Sequence, residues 1–243
     1  MYLKRYRDHA SRHRAEQNYR WLARLPGPLR LPRLHDHQGP ALAFEDIRGR
    51  HAKPSDLVML AGHLGAAHAA AHTAELRHAR LGVDFHTALC HEIPGFLGRR
   101  LEAVGRELEA GRVPGPAFST GQARALLRSA CGGPAAFYKD ANRRNFLITP
   151  AGPVTVDFDD LTLAPFGYDL AKLVVSLSMT YGALGSARIT AALGAYNAAT
   201  RRLPGVMPVT REQLMAWAEI HHILTSRYLG RAGYRHGWHE VRP

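Results

Sequence analysis

Cysteine is nearly absent. The 243 residues hold two, Cys90 and Cys131, with no CxxC pairing and no framework spacing. That excludes a disulfide-stapled secreted scaffold and fits free thiols in a reducing, cytoplasmic setting. Long apolar runs are missing too. The longest, residues 57–71, is broken by His63 and His68 and is too short for a bilayer span, so it reads as a buried helix and no membrane partner is expected. The charged start, residues 1–7, has no apolar stretch behind it of the kind a signal peptide needs. Acidic residues are scarce, 20 against 32 Lys and Arg, for a net charge of +12. Such a balance attracts polyanions. The arginines are nevertheless scattered, with no run interleaved by stacking aromatics, so no dedicated nucleic-acid partner is expected. There is no G-x-S-x-G for serine hydrolysis and no internal repeat. The pairs among the fifteen histidines (His9/His13, His35/His37, His68/His72, His221/His222) lack the acidic partner and third ligand of a zinc motif and read as helix-face or surface residues.

What is present is an ordinary globular balance, 46% hydrophobic and 21% charged, in a chain long enough for one large domain or a small lobe plus a larger one. Residues 2–6 alternate like a short strand. Ser11 can cap a helix bearing Ala15, Tyr19, Leu22 and Ala23, and Pro26-Gly27-Pro28 ends it. Strand candidates 31–34 and 41–44 follow, joined by a turn at Gln38-Gly39-Pro40. From Pro54 the pattern is helical: Ser55 caps a helix through His72, and further helices are expected over 95–110, 122–129, 169–182, 186–202 and 211–229. Two compact strands, 146–148 and 154–156, flank a turn at 149–152, and the residues after Gly230 read as basic and irregular.

The chemistry is concentrated around that hairpin. Asp140 precedes Asn145 by five positions, Asn145 runs into the first strand, and the second strand ends in Asp157-Phe158-Asp159-Asp160. An antiparallel pair sets Asn145 and Asp157 side by side, with Asp140 above them on the preceding loop. Phosphoryl transfer needs this much from a protein: hard oxygen ligands for Mg²⁺ on the phosphates, and a carboxylate to orient and deprotonate the attacking hydroxyl. Asp140 is thus the candidate base, and Asn145 and Asp157 the candidate metal ligands, in the Asp-x-x-x-x-Asn plus Asp-Phe-x arrangement of kinases. Read singly, these residues are turn and strand-end residues.

Residues 138–173 resemble the core of the aminoglycoside phosphotransferase family, which includes choline kinase-like and other small-molecule kinases, and the run Pro165-Phe166-Gly167-Tyr168-Asp169-Leu170-Ala171 is similar to that family's segment after the metal Asp. The resemblance implies that Asp169 buttresses the catalytic loop through its backbone. It also implies that Lys4 and Glu16 form the ion pair that holds nucleotide phosphates, and that Glu45, Asp46 and Ile47 form the hinge that meets adenine. Tyr138 and Lys139 depart from the family's usual His and Gly. The strands and glycine-rich loop normally ahead of the lysine are missing, since only three residues precede Lys4. Either the natural start lies upstream or the lobe is reduced, which leaves the Lys4 strand an uncovered edge through which two chains could dimerise. The resemblance implies an α+β, protein-kinase-like two-lobed fold: a truncated N-terminal lobe (1–46) with a short antiparallel sheet and one helix, and a mainly helical C-terminal lobe (47–243) carrying the catalytic hairpin. The function it implies is ATP- and Mg²⁺-dependent transfer of the γ-phosphate to a hydroxyl of a small molecule, an aminoglycoside-like antibiotic or another metabolite. The alternative is a kinase-fold binding protein for a nucleotide or small molecule with weak or no catalysis. A cationic acceptor would need acidic partners, for which Asp159, Asp160, Glu219 and Glu240 are the candidates by position.

Overall fold

The computed structural model describes residues 1–27, 29–35, 39–89, 91–231 and 233–243. Pro28, His37, Gln38 with its share of the expected turn, and Cys90 lie outside the described residues. The chain opens with β1 (Tyr2–Arg5), then α1 (His9–Arg24), β2 (Leu34–His35) and β3 (Ala41–Phe44). These strands form an antiparallel sheet in the order β1-β3-β2, with Leu3 opposite Ala43, so β1 lies at an edge. Helix α1 starts earlier than Ser11. Asp8 is the cap, its Oδ1 accepting the Ser11 N–H at 2.7 Å, and that bond holds the Asp8 carboxyl down to about 2. Most of the expected strand at 31–34 is absent, because Pro32 has no N–H for a ladder. Instead the Tyr19 hydroxyl donates to Pro32 O (2.9 Å) and accepts from Leu34 N (3.2 Å), so α1 holds the segment.

Next come β4 (Arg50–His51) and a 3-10 turn, Pro54–Asp56, that leads into α2 (Leu57–Ala74). Asp56, rather than Ser55, organises this entry: it accepts the Lys53 N–H at 2.8 Å and takes Arg50 at 2.6 and 2.8 Å. Strands β5 (Phe85–His86) and β6 (Glu92–Ile93) form a small ribbon ahead of α3 (Leu97–Glu109) and α4 (Thr120–Ser129). Strand β7 (Ala135–Tyr138) follows, then the hairpin β8 (Phe146–Thr149) and β9 (Gly152–Thr155), which β4 extends, and β10 (Thr162–Pro165), which pairs with β7. The remainder is helical: α5 (Tyr168–Tyr181), α6 (Ser186–Thr200), α7 (Arg211–Thr225) with a 3-10 turn after it, and α8 (Trp238–Val241). The C-terminal segment is therefore not irregular throughout; Trp238 is buried, its Nε1 donating to Glu219 at 2.9 Å.

Helix α5 is the central element. Every residue from Tyr168 to Thr180 is buried, and most are apolar. Four of its five charged or hydroxyl-bearing members between Asp169 and Thr180 (Asp169, Lys172, Ser176 and Thr180, but not Ser178) recur at intervals of three, four and four, which places them on one helical face. That face meets the loop between β7 and β8. Among the described residues no helix is long and apolar enough to cross a membrane.

Candidate active site

The loop leaving β7 turns sharply at Asp140, which has φ +56°, and the segment leaving β9 does so at Asp157, with φ +66°. These are the only non-glycine residues with positive φ among those described. Such backbone costs about 1–3 kcal/mol per residue and persists where the surroundings over-determine it, as at active sites. The surroundings here are explicit. Asn142 and Asn145 fold the intervening residues into a tight turn: Asn145 Nδ2 donates to Asp140 O at 2.8 Å, and Asn145 N to Asn142 O at 2.9 Å. The hairpin register pairs Phe146 with Thr155, and one step further Val156 N donates to Asn145 O at 2.9 Å. Asn145 and Asp157 therefore sit beside each other, with Asp140 joined to them by the Asn145 amide.

From below, Asp169 accepts the backbone N–H groups of Lys139 (3.2 Å) and Ala141 (2.9 Å), flanking Asp140, and is itself fully buried. Ser176 and Thr180, further along the same face of α5, hold Arg143 through its N (3.1 Å) and Nε (3.2 Å). Two histidines expected on a helix face or a surface lie on the core-facing side of α2. His68 lies in α2 with Nδ1 2.7 Å from the Tyr196 hydroxyl and Nε2 3.7 Å from Asp169, and Tyr196 also accepts the Gly167 N–H at 3.0 Å. Donation from Tyr196 to Nδ1 leaves the His68 Nε2–H facing Asp169. His72 is buried against Ala135 O at 3.0 Å. The polar stripe of α5 and the lone histidines inside an apolar helix were the available signals for this support.

The Lys4–Glu16 pair does not form. Lys4 Nζ lies 2.6 Å from Asp157 Oδ1 and 2.8 Å from Asp159 Oδ2. Burial works against its charge, but the bonds and attraction from Asp157 and then Asp159 outweigh it and raise the Lys4 pKa. Glu16 is engaged within its own helix by Arg12 at 3.0 Å and by Arg20 at 2.5 Å, each four positions away. The contact from α1 to the site is instead Asn18, whose Nδ2 donates to Phe158 O at 2.6 Å and whose Oδ1 meets His91 Nε2 at 2.8 Å.

Around Asp140 two departures from the expected motif take on roles. Tyr138 donates its hydroxyl to Asp140 Oδ1 at 2.9 Å, and burial, then the Asp140 charge, hold the phenol well above its usual pKa, so it remains a donor. Lys139 points the other way: it is buried, and its Nζ donates to Val156 O at 2.9 Å, tying the Asp140 loop to the residue before Asp157. A second buried lysine, Lys172 of α5, sits 3.4 Å from Asp140 Oδ1. With Oδ1 occupied, no described residue hydrogen-bonds Oδ2, which is left for an incoming group.

Two cavities flank this arrangement. One, of about 420 Å³, is lined by Lys4, Phe44, Asp46, Ile47, Asn145 and Asp157 among others. Glu45 also lines it, with its backbone N–H donated to Arg33 O (2.8 Å) and its carboxylate accepting the Arg33 N–H (3.2 Å). The other, of about 290 Å³, is lined by Arg99, Arg100, Tyr138, Asp140, Asp160 and Lys172 among others. Both fall near the lower range for small-molecule sites. Three of the four carboxylates expected to meet a cationic acceptor are engaged elsewhere: Asp159 with Lys4, Glu219 with Trp238 and Arg242 (3.2 Å), and Glu240 with Gly237 N (3.0 Å). Asp160 alone lines the second cavity, its pKa raised by burial and by repulsion from Asp140, Asp159 and Asp157.

No group of three His, Cys, Asp or Glu side chains converges as a metal cage among the described residues. The donor set is nevertheless suited to Mg²⁺ carried on phosphates, which takes one or two protein oxygens and completes its shell with phosphate and water. Asn145 has its amide nitrogen on Asp140 O, which leaves Oδ1 for a cation; the Asp157 side chain is 46% exposed; and Asp159 Oδ1 is buried without a hydrogen-bond partner.

The sequence model of the phosphotransferase enzyme family matches residues 1–206. Among curated proteins none matches. Solved structures do. A choline/ethanolamine kinase family protein from Mesorhizobium loti aligns with a TM-score of 0.53 at 16% identity, over 93% of this chain and 72% of its own. An aminoglycoside phosphotransferase from Streptomyces rimosus, in complex with ADP and streptomycin, aligns at 0.57 and 16% identity, over 88% and 82%. An amicoumacin kinase in complex with AMP-PNP, Ca²⁺ and Ami aligns at 0.60 and 11% identity, over 90% and 69%. At these identities the likeness establishes a kinase-like fold.

Proposed function

This chain belongs to the phosphotransferase enzyme family, and from that premise we propose that it transfers the γ-phosphate of ATP, with Mg²⁺, to a hydroxyl of a small molecule. The observation that carries the reading is the pair of left-handed aspartates, Asp140 and Asp157, joined through Asn145 where residues of two cavities meet. Mg²⁺–ATP would supply the transferable phosphoryl group and the charge that neutralises it. Asn145 Oδ1 and the Asp157 carboxylate would hold the cation, and Asp46 and Ile47 would face the base from the larger cavity. Lys4, already between Asp157 and Asp159, stands within the same cavity to meet phosphate oxygens. On the other side, Asp140 Oδ2 orients the acceptor. The acceptor oxygen loses its proton to Asp140 as it bonds to phosphorus, with ADP as leaving group. Little covalent work is asked of the protein; orientation and electrostatics do most of it.

The test is Mg²⁺-dependent ATP turnover across a panel of hydroxylated acceptors, with Asp140→Ala as control. The expected outcome is a loss of about 10²–10⁴-fold in kcat on removing the base, with nucleotide binding retained. ATP binding that depends on Asp157 but leads to no turnover with any acceptor would instead identify a binding protein on the same fold, the reading favoured by the engagement of Lys4 with two carboxylates.

A further inference from the structure

The smaller cavity is unusual in its charge. Its cations are Arg99, Arg100 and Lys172, and its carboxylates are Asp140 and Asp160. Lys172 and Asp140 offset one another at 3.4 Å. Arg100 is only 8% exposed, yet has no carboxylate partner among the described residues. Its guanidinium donates to three neutral acceptors: Phe96 O (2.8 Å), Thr162 Oγ1 (2.8 Å) and the Tyr168 hydroxyl (3.2 Å). It lies 4.5, 5.0 and 4.9 Å from the ring centroids of Phe96, Tyr138 and Tyr168. These contacts orient the guanidinium without neutralising it, so its field reaches into the cavity. Arg99, one residue before Arg100 in α3, is exposed on the same cavity; it makes no hydrogen bond or close ion pair with any described residue, although its charge acts at longer range on Asp160, whose pKa it lowers. Against this stands Asp160 alone.

We propose that the acceptor is an anionic hydroxylated small molecule, whose carboxylate or phosphate is held by Arg99 in the field of Arg100 while its hydroxyl meets Asp140. The proposal rests on the phosphotransferase reading and assigns the substrate class of that site. A polycationic acceptor finds the opposite environment: beside the base, Asp160 is the one carboxylate lining the cavity, Asp159, Glu219 and Glu240 are engaged elsewhere, and two arginines repel it. A carboxylate and a phosphate monoester present the same fork-matching oxygens to a guanidinium. The cavity volume of about 290 Å³ suits a compact molecule.

The experiment uses acceptors matched in all but charge: glycerol, glycerate and glycerol 3-phosphate; glucose, gluconate and glucose 6-phosphate; and streptomycin as the polycation. The expected result is a kcat/KM at least about tenfold higher for one of the anions than for its uncharged analogue, the equivalent of one charge-assisted hydrogen bond. In Arg99→Glu that preference should collapse, chiefly through a raised KM, in a protein whose circular dichroism and melting match the wild type. Comparison of the two anions in each series separates a carboxylate site from a phosphate site. Preference for the polyols or for streptomycin, a preference that survives Arg99→Glu, or no turnover of any of the acids overturns the assignment. Mg²⁺-dependent ATP binding that is lost in Asp157→Ala, measured on the same preparations, shows whether the phosphotransferase reading still stands in those cases.

Discussion

Lys139 and Lys172 are both buried, at 1% and 6% exposure, and both lie among the same carboxylates, yet their electrostatics differ in sign. Burial lowers the Lys139 pKa, and attraction to Asp169, Asp157 and Asp140 only partly offsets it. For Lys172 burial acts the same way, but the attraction of Asp140 outweighs it and the pKa is raised. The ammonium of Lys139 is therefore a net cost to the fold and that of Lys172 a net gain. A methionine placed at each position in turn tests both. Lys139→Met keeps the volume and removes the disfavoured charge, so its melting temperature should equal or exceed that of the wild type. Its kcat should nevertheless fall by about tenfold or more, because the bond to Val156 O that ties the Asp140 loop to the Asp157 loop is lost. Lys172→Met should be destabilised by about 1–2 kcal/mol in urea unfolding. That is less than the 3–5 kcal/mol for breaking a fully buried pair, since the Asp140 side chain is 33% exposed and water screens part of the loss. Equal effects of the two changes on stability would refute this assignment of sign.

At the scale of elements, the buttress beneath the Asp140 loop depends on how closely α2 and α6 approach. Gly65 in α2 sets that distance: a Cβ there would lie 2.6 Å from Tyr196 O, 3.2 Å from Tyr196 Cα and 3.0 Å from Ala199 Cβ. Two of the obstructing atoms are backbone and the third is a Cβ fixed to it, so the helices themselves must separate, carrying the Tyr196 hydroxyl away from His68 and Gly167. Gly65→Val should cost about 1–3 kcal/mol or more, read as a lower urea midpoint at an unchanged slope. A midpoint within error of the wild type would mean that the two helices yield to a larger side chain at their crossing. None of this crossing was legible in the sequence, which shows α2 as an apolar stretch without saying which face meets what. The hairpin was legible for a local reason: two apolar runs, a Gly-containing turn and polar residues at both ends lie within fifteen residues. Asp169 was reachable through resemblance, since its bonds to Lys139 and Ala141 span about thirty positions. Strands β7 and β10 were not, because Ala135-Ala136 and a strand ending in Pro165 carry weak strand signals and are stabilised by pairing over a long separation. The same limit explains the error at Lys4. Order along the chain suggested Glu16 as its partner, whereas Asp157 and Asp159, some 150 residues away, are what the fold brings to it.

For the molecule as a whole, the histidines set the response to acid. His63, His91, His221 and His222 all have pKa values below their usual one, each chiefly because burial disfavours the charged ring, and for His221 the Lys172 ammonium adds to it. The unfolded chain binds these protons near pH 6.5, while the folded chain binds them only at lower pH. Between those values the unfolded state carries more protons, so stability rises with pH and is complete above about 6.5. It is lost progressively as pH falls below that point. The depressed carboxyls act lower down: Asp56, held by Arg50, and Glu107, held by Arg112, contribute stability above the unfolded carboxylate range and lose it as pH falls through their folded values. The interval from about pH 6.5 to 5 therefore belongs mainly to the histidines, in a chain whose +12 charge already resists further protonation. His221 contributes most, since it is fully enclosed, donates Nε2–H to Tyr168 O at 2.9 Å and stacks on Tyr138 with 23° between the rings. His221→Gln retains a donor and removes the titration. Its melting temperature at pH 7.5 should be lower than that of the wild type, and its decline between pH 6.5 and 5 should be shallower. Parallel curves for the two proteins over that interval would place the acid sensitivity elsewhere, and a wild-type curve flat from pH 7 to 5 would remove the histidine account altogether.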